Sequence, residues 1–296
     1  MHQKVESVKF RNKVEGKRFM AEEMTKGGAM QLTLGFSPCP NDTFIFDALA
    51  NGRLRPLGFT FRAELHDVET LNQMAFEQKL DISKLSFYAY LRAKKHYSLL
   101  SSGAALGYGC GPLVIAAKPL RIDDMAGCRI ALPGEWTTAH LLFRLWAPQA
   151  QQRFFVTYDQ IFDALRTGRA DCGVIIHESR FTFQEAGFQQ VVDLGAWWEQ
   201  QTGLPIPLGC IAARKRLPVH VLDQTERLIR QSILLSQENP DDVLPYIRQH
   251  AQEMTAEVLR AHIEMFVNDF TLDMGPKGRK AVAVLAERAE QAGLLT

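Results

Sequence analysis

The sequence lacks a long apolar run and a clear excess of charge of either sign. No stretch approaches the roughly 18 consecutive apolar residues that a membrane-spanning helix requires. Its 34 Lys and Arg residues nearly balance its 33 Asp and Glu residues, which leaves a net charge of +1. These absences argue against a membrane protein and against a surface that recruits nucleic acid or anionic lipid.

Cysteine is scarce, and the phosphate-binding glycine motifs are missing. The five cysteines are widely scattered and include no C-x-x-C pair: Cys39, Cys110, Cys128, Cys172 and Cys210. This argues against a disulfide framework or a zinc site and predicts reduced thiols in the cytoplasm. Neither G-x-x-x-x-G-K-[ST] nor G-x-G-x-x-G follows a predicted strand, so no nucleotide site is expected.

The length and the strand–helix pattern predict two lobes. A chain of 296 residues favours two medium cores. Residues 112–118 and 207–214 are similar extended segments, and they bracket a block with its own α/β pattern. We therefore predict a discontinuous larger lobe (31–118 and 207–296) and an inserted smaller lobe (119–206). The β-α-β-α-β-α order before residue 95 predicts a parallel sheet.

The first 30 residues differ from the rest. They carry seven Lys or Arg against four Asp or Glu, with no apolar segment of a secretory signal. We predict that 1–30 is a disordered extension, or that the start of the chain is assigned too early.

Several predicted strands end in polar residues. The first is followed by a proline-rich turn that carries Ser37, Asn41 and Asp42, and a helix begins there. Lys84 and Ser86 follow another strand, where rim residues are the simpler interpretation. Ligands of open α/β sheets bind beyond such strand ends, and a helix N-terminus can hold a carboxylate. The turn and the strand end are therefore candidate parts of a cleft.

Two further strand ends lie in the inserted block. Thr137 and Thr138 begin a helix, and one of them is the expected N-cap. The apolar run 174–176 stops at His177, whose side chain is the best suited to move a proton near neutral pH. Glu178 and Arg180 follow and are candidates to tune it. A surface loop after a core strand is the alternative for His177 alone.

Five ordered motifs resemble those of the 1,4-dihydroxy-6-naphthoate synthase family. They are Gly-Phe-Ser-Pro-Cys-Pro-Asn-Asp-Thr-Phe-Ile-Phe (35–46), Asp-Val-Glu-Thr-Leu-Asn (67–72), Lys-Leu-Ser-Phe (84–87), Ile-Ile-His-Glu-Ser-Arg-Phe-Thr (175–182) and Asp-Leu-Gly-Ala-Trp-Trp-Glu (193–199). The resemblance runs from about Leu32 to the end of the chain. It implies an α/β fold similar to the type II periplasmic binding proteins, with mixed sheets flanked by helices and a cleft between two lobes.

The resemblance also implies an activity and residue roles. The resemblance implies a lyase of menaquinone biosynthesis. Such a lyase converts cyclic de-hypoxanthine futalosine, a carboxylate, to 1,4-dihydroxy-6-naphthoate and a three-carbon fragment. No metal or organic cofactor is implied, and a homodimer is left open. The proton acceptor falls on His177, and the substrate contacts fall on Lys84, Leu85, Ser86, Thr137 and Thr138.

Two alternatives remain. Chorismate dehydratase shares the fold and the pathway, but the motif at 175–182 counts against it. A solute-binding receptor shares the fold alone, since fold does not fix function. The unpaired cysteines and a histidine at a strand end argue against a receptor.

Overall fold

The computed structural model describes residues 30–251 and 255–295 and places them in two β-sheets flanked by helices. The predicted N-terminal extension therefore lies outside the described residues, except for Met30, which is the first residue of a strand.

The described elements follow the predicted alternation closely. The strands are β1 (Met30–Phe36), β2 (Phe59–Leu65), β3 (Ile82–Ser86), β4 (Tyr97–Leu99), β5 (Ala105–Gly107), β6 (Leu113–Ala116), β7 (Ile130–Leu132), β8 (Arg153–Phe155), β9 (Cys172–Ile175), β10 (Gln189–Asp193) and β11 (Ile206–Arg214). The α-helices are α1 (Pro40–Ala50), α2 (Val68–Phe76), α3 (Phe87–Ala93), α4 (Thr138–Trp146), α5 (Ile161–Arg166), α6 (Ser179–Thr182), α7 (Leu194–Thr202), α8 (Val219–Glu238), α9 (Pro240–His250), α10 (Ala256–Phe266), α11 (Asp269–Leu272) and α12 (Gly275–Gln291).

The first sheet has the strand order β2-β1-β3-β11-β4, and β5 pairs with β11. β1 runs parallel to both β2 and β3, as the strand–helix alternation predicts. β11 follows the inserted block in the sequence and pairs antiparallel with β3. The sheet is therefore mixed, and β3 is central, with all five of its residues buried.

The second sheet has the strand order β10-β6-β9-β7-β8. β6 pairs antiparallel with β9 and β10, so residues 113–116 belong to this sheet. The sequence predicts them in the larger lobe, whereas their strand pairs in the sheet of the inserted block. The similarity of 112–118 to 207–214 reflects a shared apolar pattern, which does not specify a pairing partner. The division into two lobes itself stays a prediction.

A single apolar cluster connects the elements around both sheets. Tyr88 of α3, Leu141 of α4 and Leu285 of α12 all belong to it, and each is buried. A second cluster packs the first sheet against the C-terminal helices, with Ile229 of α8 among its members. A third cluster packs the second sheet against α5. The helices after β11 therefore cover the first sheet and also reach the inserted block.

The glycine-rich stretch 103–111 contains the short strand β5, which the sequence did not predict. β4 was also not predicted, since three residues are too few to show a period. Within 30–251 and 255–295, no helix is both long enough and apolar enough to cross a membrane.

Gly111 lies between β5 of the first sheet and β6 of the second, and a substitution there tests how closely this segment packs against α7. A Cβ at Gly111 would lie 2.3 Å from backbone atoms of Gly195 at the start of α7. The Gly195 N–H donates to Asp193 Oδ1 (2.8 Å), which restrains that backbone. We expect Gly111→Ala to lower the free energy of unfolding by about 1–3 kcal/mol, measured by urea titration.

The matched control for that substitution is Gly127→Ala, because a Cβ there meets nothing within 4 Å and the residue has no positive φ. Equal urea midpoints for the two variants would contradict the close contact of Gly111 with α7.

Candidate active site

A cavity of about 710 Å³, a volume that includes the space at its mouth, lies where the two sheets face each other. The first sheet and its loops contribute the polar residues Ser37, Asn41, Asp42, Lys84 and Ser86. The elements around the second sheet contribute Thr137, Thr138, His177 and Arg180. The structure thus brings nine of the eleven candidate residues to one cavity.

Leu85 and Glu178 are the two candidates that do not line the cavity. Side chains alternate along a strand, so Leu85 points away from Lys84 and Ser86 and packs into the apolar cluster. A contact of Leu85 with substrate stays a prediction, and it would have to involve the backbone. Glu178 is half-buried, and burial raises the pKa of its carboxyl group. Among the described residues its Oε2 has no hydrogen-bond partner.

The Asp42 carboxylate interacts with three of the other polar residues that line the cavity, namely Ser37, Asn41 and Lys84. Its Oδ2 accepts from the Ser37 N–H (3.1 Å) and from the Ser37 hydroxyl (2.7 Å). Its Oδ1 accepts from Asn41 Nδ2 (2.9 Å) and pairs with the Lys84 ammonium group. The side chains of both partners of this ion pair are at least 94% buried. Because Asp42 lies in the first turn of α1, the helix dipole also favours its negative charge.

His177 has an unusual backbone conformation. Its φ of 58° lies in the left-handed region, which costs a non-glycine residue on the order of 1–2 kcal/mol. Its ring contacts that of Tyr158, with centroids 5.1 Å apart, and it lies nearly parallel to that of His262, with centroids 6.1 Å apart. Among the described residues, none hydrogen-bonds to its ring nitrogens. Strain at a cavity-lining histidine is typical of a functional position.

The His177 imidazole is neutral near pH 7. Burial lowers its pKa to about 4, since the charged form loses its hydration. Asp42 opposes this shift, Lys84 adds to it, and Asp67 opposes it. A neutral imidazole can accept a proton, which is what a general base must do.

The two threonines use their hydroxyl groups within the protein. Thr137 is the N-cap of α4, and its Oγ1 accepts from the His140 N–H (3.2 Å) and donates to Gly134 O (3.0 Å). Thr138 Oγ1 donates to Leu208 O (2.7 Å). They leave the backbone N–H groups at the start of α4 for a ligand.

Ser86 differs from the threonines. Its Oγ accepts from Asn72 Nδ2 (3.1 Å), and Asn72 Oδ1 in turn accepts from the Ser86 N–H (2.9 Å). Among the described residues, no acceptor takes the proton of the Ser86 hydroxyl. Ser86 is therefore a donor that is both held in place and available to a ligand.

Both cations that line the cavity are paired. Arg180 donates to Gly111 O (2.5 Å) and to Asp193 Oδ2 (2.6 Å), and Lys84 pairs with Asp42. Apolar side chains complete the wall, among them Ile176 and Phe266. The cavity thus offers hydrogen-bond donors in a largely apolar and electrically balanced setting. Within the described parts of the chain, no group of three or more His, Cys, Asp or Glu side chains could hold a metal ion.

The sequence analysis missed the role of His262, whose position on the apolar face of α10 is typical of a core residue. It is fully buried, and its Nε2 lies 3.0 Å from Asn41 Oδ1, so it supports the cavity wall from behind. The helical period could not reveal this, because the same period also describes ordinary core positions.

Comparisons with known proteins agree on one family. The profile of a family described as menaquinone biosynthesis matches residues 32–291. A Thermus thermophilus protein named 1,4-dihydroxy-6-naphthoate synthase is 48% identical over 263 residues, which cover 89% of this chain and 95% of the relative. A Streptomyces coelicolor protein of the same name is 40% identical over 269 residues, covering 89% and 94%.

Solved structures confirm the fold. A crystal structure from Archaeoglobus fulgidus superposes with a TM-score of 0.85 at 33% identity, covering 89% of this chain and 98% of that chain. A Candida albicans protein, described as having the generic periplasmic-binding-protein fold, superposes with a TM-score of 0.68 at 14% identity, covering 90% and 91%. The predicted periplasmic-binding-protein-like α/β fold is therefore confirmed.

The Asp42–Lys84 pair generates a stability test. Asp42→Asn leaves the Lys84 ammonium buried without a counter-charge, so we expect it to cost about 3–5 kcal/mol in urea unfolding. The matched control is Asp171→Asn, which breaks an exposed pair with Arg129 and should cost about 1 kcal/mol or less. An Asp42→Asn cost no larger than that of the control would contradict the importance of the buried pair.

The buried histidines generate a pH test. Burial lowers the pKa of His140 and of His177 from 6.5 to about 4, and that of His262 well below 6.5. Between pH 6.5 and about pH 4 these histidines are protonated in the unfolded chain but neutral in the folded protein, so the unfolded chain binds more protons. Their contribution to stability is therefore present above pH 6.5 and is lost as the pH falls towards 4.

We expect the thermal midpoint to fall over this window, and to fall less in His140→Phe, which removes one of the three groups without touching the cavity. An equal fall in both proteins, measured by circular dichroism, would contradict the burial of a neutral imidazole at His140.

Proposed function

The chain belongs to the menaquinone-biosynthesis family, and on that premise we propose that it is a 1,4-dihydroxy-6-naphthoate synthase. In this proposal it converts cyclic de-hypoxanthine futalosine to 1,4-dihydroxy-6-naphthoate and releases a three-carbon fragment. The names of the two relatives support the pathway and the type of enzyme, a lyase.

One observation carries the assignment of the base, namely a neutral and strained His177 that faces the cavity. Its pKa of about 4 leaves the imidazole free to accept a proton at neutral pH. In our proposal His177 takes the substrate proton whose loss begins the release of the three-carbon fragment. A receptor that only binds a solute needs no such group.

Hydrogen-bond donors would hold the substrate carboxylate. The N–H groups of Thr138 and Ala139, in the first turn of α4, are among those that a helix leaves without intrahelical acceptors. The Ser86 hydroxyl supplies a further donor from the first sheet. Since Lys84 and Arg180 are already paired, recognition depends on these neutral donors more than on a free cation. Leu85 has no side-chain role in this arrangement.

Apolar walls serve the chemistry by limiting water. Ile176, Leu208 and Phe266 line the same cavity as His177. A substrate ring against these side chains would displace water and align the scissile bond with the base. We also propose a cytoplasmic location, which the five free cysteines support.

His177→Asn tests the proposal. Asparagine keeps a polar group of similar size but cannot become a cation, so proton transfer is lost while binding remains. We expect kcat to fall by about 10²–10⁴-fold and KM to change by less than about tenfold. The assay is incubation with cyclic de-hypoxanthine futalosine, followed by chromatography of the naphthoate product.

The exposed histidine variant His220→Asn is the control and should retain wild-type kinetics. Substrate binding without turnover by the wild-type protein would favour the solute-binding alternative. A folded His177→Asn protein with more than about a tenth of the wild-type kcat would place the base elsewhere.

Ser86→Ala tests the proposed carboxylate contact. The variant keeps the fold of the strand end but removes a cavity-lining hydroxyl whose proton has no acceptor among the described residues. We expect KM to rise by about ten- to a hundredfold, with kcat little changed, because a hydrogen bond to a charged group contributes roughly 1.5–3 kcal/mol. Thr137→Ser, which keeps the N-cap, should leave KM nearly unchanged. An unaltered KM in Ser86→Ala would remove Ser86 from the binding site.

A further inference from the structure

A second histidine lies directly against the proposed base, on an element that the sequence did not connect with the site. His262 is on α10, one helical turn before Phe266, and residues four apart share a helix face. Phe266 lines the cavity, while His262 is fully buried and its ring contacts both Phe266 (centroids 4.8 Å apart) and His177. The planes of the two imidazole rings differ by only 11°.

The hydrogen-bond network defines the protonation of His262. Asn41 Nδ2 donates to the Asp42 carboxylate, so the amide oxygen of Asn41 is the group that faces His262. An amide oxygen only accepts, and the proton of His262 therefore resides on Nε2. The other nitrogen, Nδ1, is buried and has no hydrogen-bond partner among the described residues. His262 is thus a neutral imidazole whose orientation is fixed by one bond.

Simple core packing does not account for this arrangement. A phenylalanine at 262 would fill similar space without burying an unpaired acceptor such as Nδ1, which is unfavourable in a protein interior. The Nε2–H bond to Asn41 instead connects the His262 ring, through Asn41, to the Asp42–Lys84 pair. Asn41, Asp42 and Lys84 line the same cavity as His177.

We propose that His262 is a positioning residue for His177: its ring, oriented by Asn41, supports the His177 imidazole from the side of α10 and keeps water away from that side. This inference rests on the function proposed above for His177. His262 does not line the cavity, and it acts on the reaction only through His177.

The charged and titratable groups around His177 come from several elements. They are Asp42 of α1, Lys84 of β3, Asp67 at the N-cap of α2, Tyr158 before α5, and His262 of α10. Asp42 and Lys84 form an ion pair with opposite effects on His177, so exposure to water is the main variable that a change at 262 would alter. Water behind the ring would favour the imidazolium form and raise the pKa of His177.

Two substitutions separate the ring from the hydrogen bond. His262→Phe keeps an aromatic ring but removes the donor to Asn41. His262→Gln keeps a donor near the position of Nε2 but removes the ring. His140→Gln is the matched control, because it also replaces a buried histidine with a lowered pKa, and the His140 ring makes no contact with His177.

The first measurement does not depend on enzymatic activity. Long-range ¹H–¹⁵N correlation spectra of the folded proteins report the tautomer of His262 and the titration of His177. We expect the Nε2–H tautomer at His262 in the wild type. We expect the pKa of His177 to rise by about one unit or more in His262→Gln, and to stay within about half a unit of the wild type in His262→Phe and in His140→Gln.

The second measurement is turnover of cyclic de-hypoxanthine futalosine as a function of pH. We expect His262→Gln to lower kcat by about tenfold or more and to move the acid limb upward, with KM changed by less than about threefold, because a displaced base reacts poorly. His262→Phe keeps the ring but loses the bond to Asn41 that orients it, so we expect a smaller loss in kcat, of about threefold.

The outcomes are distinguishable. A purely structural His262 would lower the thermal midpoint in both variants and leave the His177 titration and kcat as in the wild type, which would overturn the inference. An equal shift of the His177 pKa in His262→Phe and in His262→Gln would also overturn the inference. If the spectra follow the expectation but the wild type has no lyase activity, the support of His177 stands and the proposed function fails.

Discussion

The pairing of Lys84 with Asp42 is the interaction on which the candidate site depends. Lys84 lies in the central strand of the first sheet, where an ammonium group must find a counter-charge. Asp42 supplies it from the first turn of α1, and the same carboxylate holds Ser37 and the amide of Asn41. The ion pair therefore fixes the start of α1 against β3. Asn41 in turn bonds to His262 on α10, so one hydrogen-bond network connects three elements that are far apart in the chain.

The pairing of the lining charges explains how the cavity keeps His177 neutral although several charged side chains line it. The two lining cations are cancelled by Asp42 and Asp193, and burial lowers the pKa of His177. The remaining donors are amide and hydroxyl groups, and in the proposed function they would bind an anionic substrate without placing a permanent positive charge beside it. The proposed base, His177, is thereby separated from the groups proposed to bind the substrate, although both line the same cavity.

The apolar cluster that crosses between the sheets limits how the cavity can open. Complete separation of the sheets would expose Tyr88, Leu141 and Leu285, all buried here, and each Å² of apolar surface brought into water costs about 25 cal/mol. Movements confined to the segments at the cavity mouth expose less apolar area. The fold shares its architecture with periplasmic binding proteins, while this shared core restrains a full opening of the kind that a simple two-lobed hinge would allow.

The sequence by itself determined what depends on neighbouring residues. The strand and helix periods follow from local chemistry. So do an N-cap at Thr137 or Thr138, which the structure resolves as Thr137, and the placement of His177 just after the end of a buried strand. Motif resemblance added the expected roles of His177, Lys84, Ser86, Thr137 and Thr138. Only the tertiary structure decided that β6 joins the second sheet, that Leu85 faces the core, and that Asn41 meets His262 across 221 residues. Such contacts are set by the path of the chain through space, because pairing partners distant in sequence leave no period or spacing in the segments that they join.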